Sequence, residues 1–225
     1  DAIDVTQTAI QVQGSLDLPL SSTVDLRFQH WYGQQKREYA APAQLETVWD
    51  YYPGVRLSTA WRPGGTWSLE SGIEAEYRQY RFPRDYESRR SSSGRTDPWV
   101  AATVGKRVRA TAGLRLDTLW VANQSPRAAL SPRGDVRWQI TKHFALVGEA
   151  GLFHQSPPYT YLVGYPEGKY LRLEQSQLLS GGFRVNTPYV RTEVDGFYRR
   201  MNEIAGLEED DSFGRLQGRA WGLET

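Results

Sequence analysis

The chain has 225 residues, a formal net charge of +1 and no cysteine; this excludes a polybasic nucleic-acid surface, a disulfide framework and thiolate chemistry. No apolar run approaches the roughly 20 residues that a membrane-spanning helix needs. The mean hydropathy of -0.60 is no test of a β-barrel, whose strands alternate lipid-facing and lumen-facing residues. From the N-terminus onward, period-2 alternation replaces helical periodicity. Asp1-Ala2-Ile3-Asp4 holds neither a basic n-region nor an apolar h-region, so any signal peptide is expected to be gone. Ile10, Val12, Leu16 and Leu18 then alternate with Gln11, Gln13, Ser15 and Asp17. Val24, Leu26 and Phe28 alternate with Asp25, Arg27 and Gln29, and the stretch from Trp67 to Arg81 reads as one long strand. Val108, Ala110, Ala112, Leu114 and Leu116 oppose Arg107, Arg109, Thr111, Arg115 and Asp117; Val136, Trp138 and Ile140 follow, then Val190, Thr192, Val194 and Tyr198.

Such alternation predicts about 11 antiparallel strands, near residues 9–18, 23–32, 54–62, 67–81, 99–104, 108–122, 131–140, 144–153, 170–185, 189–200 and 217–224. It fits a soluble sandwich with an apolar core as well as a membrane barrel with an apolar rim facing lipid. Strand length and the rhythm of connections separate the two. Soluble strands cluster near 5–6 residues, whereas tilted bilayer-spanning strands need about 9–11. Short turns (19–22, 63–66, 105–107, 141–143, 186–188) alternate with longer segments (33–53, 82–98, 123–130, 154–169, 201–216), as on the two rims of an outer-membrane barrel. Trp31, Tyr32, Trp61, Trp67, Trp99, Trp120, Tyr198 and Trp221 fall at strand ends, where two interfacial girdles would place them. The fold expected is an all-β, antiparallel up-and-down transmembrane β-barrel.

Several phrases carry a family resemblance. Ala112-Gly113-Leu114-Arg115-Leu116-Asp117, Leu130-Ser131-Pro132-Arg133 with Val136-Arg137-Trp138, and Glu149 to Pro158 resemble strand phrases of TonB-dependent receptor barrels. Leu171 to Ser176 with Gly181-Gly182-Phe183, Gly196 to Ile204, and Gly218 to Glu224 are similar to further phrases of that family, so the resemblance covers about Val108 to the C-terminus. It implies an outer-membrane receptor for energy-coupled uptake of a scarce nutrient such as a siderophore, cobalamin or glycan. The partners implied are outer-membrane lipid and lipopolysaccharide, a plug domain, a periplasmic energy-coupling protein and a small-molecule or metal-chelate ligand, with no nucleic acid. A complete receptor of this kind has a plug and a 22-stranded barrel. The expectation is therefore one barrel domain over residues 1–225, part of a larger barrel and without a plug. A passive porin or lipid channel and a soluble carbohydrate-binding β-sandwich remain alternatives.

The residues that carry chemistry point to binding and gating. His30, His143 and His154 show no metal-ligand spacing, and neither a nucleophile elbow nor a P-loop is present. No metal, cofactor or catalytic residue is expected. Glu74, Glu76, Arg109, Arg115, Asp117, Arg137, Glu149, Arg191, Glu193 and Asp195 share the polar parity and are expected to face the lumen, where a mixed-sign wall hydrates a pore or pairs across strands. Ligand capture is expected in loops. The candidates are Arg84, Tyr86, Arg89, Arg90 and Arg95, whose guanidinium forks suit anions, with Tyr159, Tyr161 and Tyr165, whose rings suit aromatic or sugar ligands. The run Glu208-Glu209-Asp210-Asp211 reads as a solvated loop tip.

Overall fold

The structure is a computed structural model that describes residues 4–41, 44–82, 89–157, 172–207 and 213–225. Its described residues form one antiparallel sheet of 12 strands and no helix. The strands are β1 (Asp4–Pro19), β2 (Val24–Ala41), β3 (Gln44–Tyr51), β4 (Gly54–Trp61), β5 (Trp67–Phe82), β6 (Arg89–Val104), β7 (Val108–Val121), β8 (Arg127–Gln139), β9 (Phe144–Gln155), β10 (Glu174–Asn186), β11 (Arg191–Leu207) and β12 (Phe213–Glu224). The order is a meander in which each strand lies beside the next in sequence, except that β3 and β4 share the place between β2 and β5; among the described residues β1 pairs only with β2 and β12 only with β11.

Strands β3 and β4 are one stave interrupted by a proline. Gln34 of β2 stands opposite Tyr51, and Trp31 opposite Gly54, so the two residues between on one side match the two on the other with no slip. Tyr52 donates to the Gly33 carbonyl at 2.9 Å, and Tyr77 donates to the Pro53 carbonyl at 3.0 Å. Pro53 has no N–H to give, which explains the gap in an otherwise continuous ladder. The 12 elements therefore make 11 staves, the number expected from alternation and turns.

The strands run further than the pattern suggested. Segments 33–53 and 82–98, read as loops, are mostly strand: β2 runs 18 residues to Ala41, and β6 starts at Arg89. Most of 201–216 likewise belongs to β11, which runs 17 residues, and to β12. At about 3.3 Å per residue such ribbons are longer than a bilayer crossing of about 9–11 residues needs, so in a membrane barrel their ends would stand in water. There the outward positions become polar and the alternation signal disappears.

The two faces differ as lipid and water would require. On one, Val12, Phe28, Leu57, Ile73, Val100, Leu114, Val136, Leu146 and Leu179 are solvent-exposed apolar side chains. Trp61 and Trp67 pack edge-to-face at 5.0 Å beside the short turns, with Trp138 on the same rim. Tyr32, Tyr77, Trp120, Tyr198 and Trp221 mark the far end of this apolar belt, giving two aromatic borders. Two of the expected border residues belong elsewhere. Trp31 and Trp99 lie on the polar face, where their rings occupy the space above Gly54 and Gly72 that a Cβ would take.

Register gives the sheet its stagger. The row through Tyr198 runs Leu179, Ala150, Gly134, Ala112, Ala102, Leu69 and Trp61. It begins at the far border of the belt and ends at the short-turn border, eight residues below Tyr77 on β5. Hydrogen-bonded rows that climb about one residue per strand are what tilted staves of a closed barrel require. A flat two-layer sandwich has no need of them.

The tight turns are specific. Gly105, between β6 and β7, has φ 103°, and a Cβ there would lie 1.8 Å from the Val108 carbonyl oxygen. Strain and collision coincide on immovable backbone. Gly105→Ala is expected to cost about 2 kcal/mol or more, read as a lowered urea midpoint. Gly64→Ala, left-handed but with open space around it, is expected to lose less.

Candidate functional site

The polar face carries a continuous lattice of charge across β4 to β7. Glu74 is its hub: it lies on β5 opposite Arg56 and Asp97 and is 4% exposed. Arg56 ion-pairs with it directly, and Arg95 donates to it at 2.6 Å. Arg95 also approaches Glu76 and Asp97, each at 3.5 Å. Arg115 donates to Asp97 at 2.6 Å and pairs with Asp117 at 2.8 Å. Arg78 meets Glu76 at 3.1 Å. Four carboxylates thus stand against four guanidinium groups, and the signs cancel locally.

This lattice coincides with a break in the β6–β7 ladder. Strand pairing stops after Gly94–Trp120 and resumes at Trp99–Arg115 in the same register. Side chains fill the break: the Thr118 hydroxyl accepts the Thr96 N–H at 2.8 Å and donates to the Thr96 carbonyl at 2.8 Å. The Thr118 N–H donates to Asp97 Oδ1 at 2.9 Å. Asp97, 1% exposed, therefore answers both a part-buried cation and an orphaned peptide donor, the two needs that make burying a carboxylate tolerable.

A hydrogen-bonded chain leads from the lattice to the opposite face. The Ser131 hydroxyl donates to Asp117 and lies 3.0 Å from His154 Nδ1; Gln175 Nε2 lies 3.4 Å from His154 Nε2. Pairing of β8 with β9 ends at Arg133–Gly151, and this opening lets the chain pass between strands. Serine stands between acid and imidazole and is 1% exposed. A hydrolytic triad needs the imidazole in the middle and a reachable hydroxyl, so this geometry does not activate a nucleophile.

Two smaller clusters complete the face. Arg184 bridges Glu193 at 2.8 Å and Asp195 at 2.7 Å near the short turns. Glu174, nearly buried, accepts from Gln155 at 2.6 Å and from the Ala205 N–H at 3.0 Å.

All ten residues expected to face the lumen lie on this polar face. Glu74, Glu76, Arg115 and Asp117 join the central lattice, and Glu193 and Asp195 hold Arg184. Arg109 and Arg137 stand opposite each other, Glu149 faces Asp135 and Ser180, and Arg191 faces Asn186. Arg95, placed by the sequence pattern in a capture loop, is instead a strand residue of β6 engaged with three carboxylates. Serines and Pro98 disguised that strand as a loop. Arg89 and Arg90 also belong to β6. Arg84, Tyr86, Tyr159, Tyr161, Tyr165 and the run Glu208–Asp211 lie outside the described residues. Asp97, Arg56 and Ser131 escaped the sequence reading. The parity that selects Glu74 and Arg115 would have selected Asp97 and Ser131 had alternation been carried through the prolines.

No family model matches the chain, and no curated protein matches it. Solved structures do. The FrpB iron transporter from Neisseria meningitidis superposes with a TM-score of 0.73 at 12% identity, over 95% of this chain and 40% of that one. The copper transporter OprC gives 0.78 at 14%, over 98% and 43%. The alcaligin outer-membrane receptor FauA from Bordetella pertussis gives 0.71 at 10%, over 98% and 43%. The chain has the fold of these transport proteins and spans less than half of their length.

Proposed function

We propose that the chain forms part of the barrel wall of a TonB-dependent receptor in a Gram-negative outer membrane, where it serves energy-coupled uptake of a scarce nutrient. One observation carries this reading: a single staggered sheet with an apolar outward face, two aromatic borders and a charged opposite face. That inversion suits lipid outside and water within. A soluble sandwich would bury its apolar face against a second sheet, and the described residues supply none. The cargoes named for the neighbours, iron, copper and alcaligin, favour a metal or metal chelate over a glycan.

The reading makes further demands. A spanning sheet cannot leave strand edges in hydrocarbon, so β1 and β12 each require another strand, and the barrel is larger than these 11 staves. Uptake by this route also calls for a plug that contacts the lumen wall and a periplasmic protein that drives it, with ligand caught by the outer loops.

Two measurements test it. The protein is expected in the outer-membrane fraction, extractable only with detergent, with an electrophoretic shift on boiling; release by salt alone would refute the membrane reading. Cells lacking it are expected to lose growth on one limiting metal source, and wild-type uptake is expected to stop when the proton gradient is collapsed. Uptake that survives the collapse would favour a passive porin.

A further inference from the structure

The joint between β8 and β9 is incomplete. Pairing ends at Arg133–Gly151, and no ladder joins residues 127–132 of β8 to 152–155 of β9. Each strand is held on its other side: β8 pairs with β7 as far as Arg127, and β9 with β10 as far as Gln155. The β6–β7 break differs, because pairing resumes there beyond the side chains that fill it. At the β8–β9 seam side chains stand in for the ladder. Ser131 Oγ lies 3.0 Å from His154 Nδ1, and the Arg133 guanidinium lies 5.4 Å from the Phe153 ring centre. A hydrogen bond of this kind contributes only about 0.5–1.5 kcal/mol, so the seam belongs to the low-stability end of the sheet.

The hydrogen-bonded chain through this seam has one consistent direction. The Asp117 carboxylate only accepts, so the Ser131 hydroxyl gives its proton there and accepts from His154 Nδ1–H. His154 Nε2 then keeps its lone pair and accepts from the Gln175 amide at 3.4 Å. The Gln175 carbonyl in turn accepts from Asn202 Nδ2 at 3.3 Å. Every step fits a neutral imidazole. A proton added at Nε2 would face the Gln175 amide nitrogen, and Gln175 and Asn202 could not keep their bonds without turning.

The charges about the ring do little for a cation. Arg127 and Arg133 on β8, Arg172 ahead of β10 and Arg200 on β11 stand against Asp117, Glu174 and Glu203. Asp117 already pairs with Arg115 at 2.8 Å, and Glu174 accepts from Gln155 and from the Ala205 N–H. The ring is half-buried and lines a groove of about 590 Å³ with Gln175 and Asn202, so water can deliver the proton.

From this geometry we infer that His154 is a proton-operated latch on the β8–β9 seam. The neutral ring holds the seam shut through Ser131. The protonated ring turns to the water of the groove, gives up Ser131 and lets residues 127–132 part from 152–155. An imidazole changes charge between about pH 5 and 8. Closure requires the neutral ring, so it is complete above that change and is lost as pH falls through it. On the outer-membrane reading above, and only there, the released seam joins the lumen to the outward face.

The chain has no cysteine, so spin labels can be placed at will on the detergent-purified, full-length protein. Ala128→Cys/Ser156→Cys puts one label on each side of the seam. Thr111→Cys/Asp135→Cys, opposite each other across the intact β7–β8 ladder, is the control pair. Between about pH 7.5 and about pH 5.5, either side of the imidazole range, the seam labels are expected to move apart. The expected change is at least about 5 Å, one strand spacing, with the control pair unmoved. His154→Asn keeps a donor toward Ser131 and cannot titrate, and is expected to stay shut at both values. Ser131→Ala is expected to be open at both. Gln175→Glu, whose carboxylate accepts from a protonated Nε2, is expected to stay shut at the lower value and guards against a folding defect in the other two. A seam distance that ignores pH, an equal change at the control pair, or a pH response that survives in His154→Asn would overturn the inference. Failure here with detergent-dependent extraction intact removes only the latch; a protein that needs no detergent removes the membrane reading itself.

Discussion

Asp97→Ala is expected to be the most damaging change on the polar face, lowering stability by about 3–5 kcal/mol, the usual cost of breaking a buried ion pair from one side. Arg115 and Arg95 lose a carboxylate in a crowded, little-hydrated cluster. The Thr118 N–H loses its acceptor at the place where the β6–β7 ladder has no peptide bond to offer instead. Asp97→Asn separates the contributions. The amide oxygen still accepts from Thr118 while the charge is gone, so about half of the loss is expected. Urea unfolding of the protein in lipid vesicles, followed by tryptophan emission, measures both. Alanine and asparagine variants that unfold at the wild-type midpoint would mean that the lattice contributes no stability.

The second large effect lies on the other face. Leu114 sits mid-strand on β7, between Val100 and Pro132 and 42% exposed, where a soluble sheet would accept arginine readily. In a bilayer the same substitution sits near the hydrocarbon midplane and is expected to cost about 2–4 kcal/mol. Thr111→Arg, three residues away on the polar face, is expected to cost under about 1 kcal/mol, because that face is wet. The fraction of folded protein in vesicles, read from the unboiled electrophoretic band, compares the two. A Leu114→Arg protein that folds as well as Thr111→Arg would contradict a lipid-facing β7.

Much of the architecture was legible because a barrel strand must repeat every two residues while it crosses lipid. Ile73, Val100, Leu114 and Val136 announce the belt, and Glu74, Arg115 and Arg137 announce its reverse. Legibility ends where that constraint ends. Beyond the belt both sides of a ribbon in such a barrel are wet, so β3 and the outer halves of β2, β6 and β11 show no periodicity and read as loops. Prolines mislead in the same way: Pro53 splits one stave in two, and Pro98 hides the strand that carries Arg95 and Asp97. The ladder breaks beside β7 and β8 were invisible, since they depend on which hydroxyl or carboxylate replaces a peptide partner across strands. Trp31 and Trp99 fall at strand ends like the border residues, yet their parity sends them inward over glycines. Position along a strand and the face it presents are independent facts, and both are needed.

The balance of four carboxylates against four guanidinium groups has a consequence for anything that passes the wall. Interleaved opposite charges generate a potential that decays within a few ångströms, faster than the roughly 8 Å screening length of physiological salt. A solute travelling along the middle of the proposed lumen past β4 to β7 would feel almost no field from this patch, whatever its own sign. If the chain walls a transport lumen as proposed, the patch would stiffen that wall without sorting what passes, and discrimination between cargoes would fall to the rims.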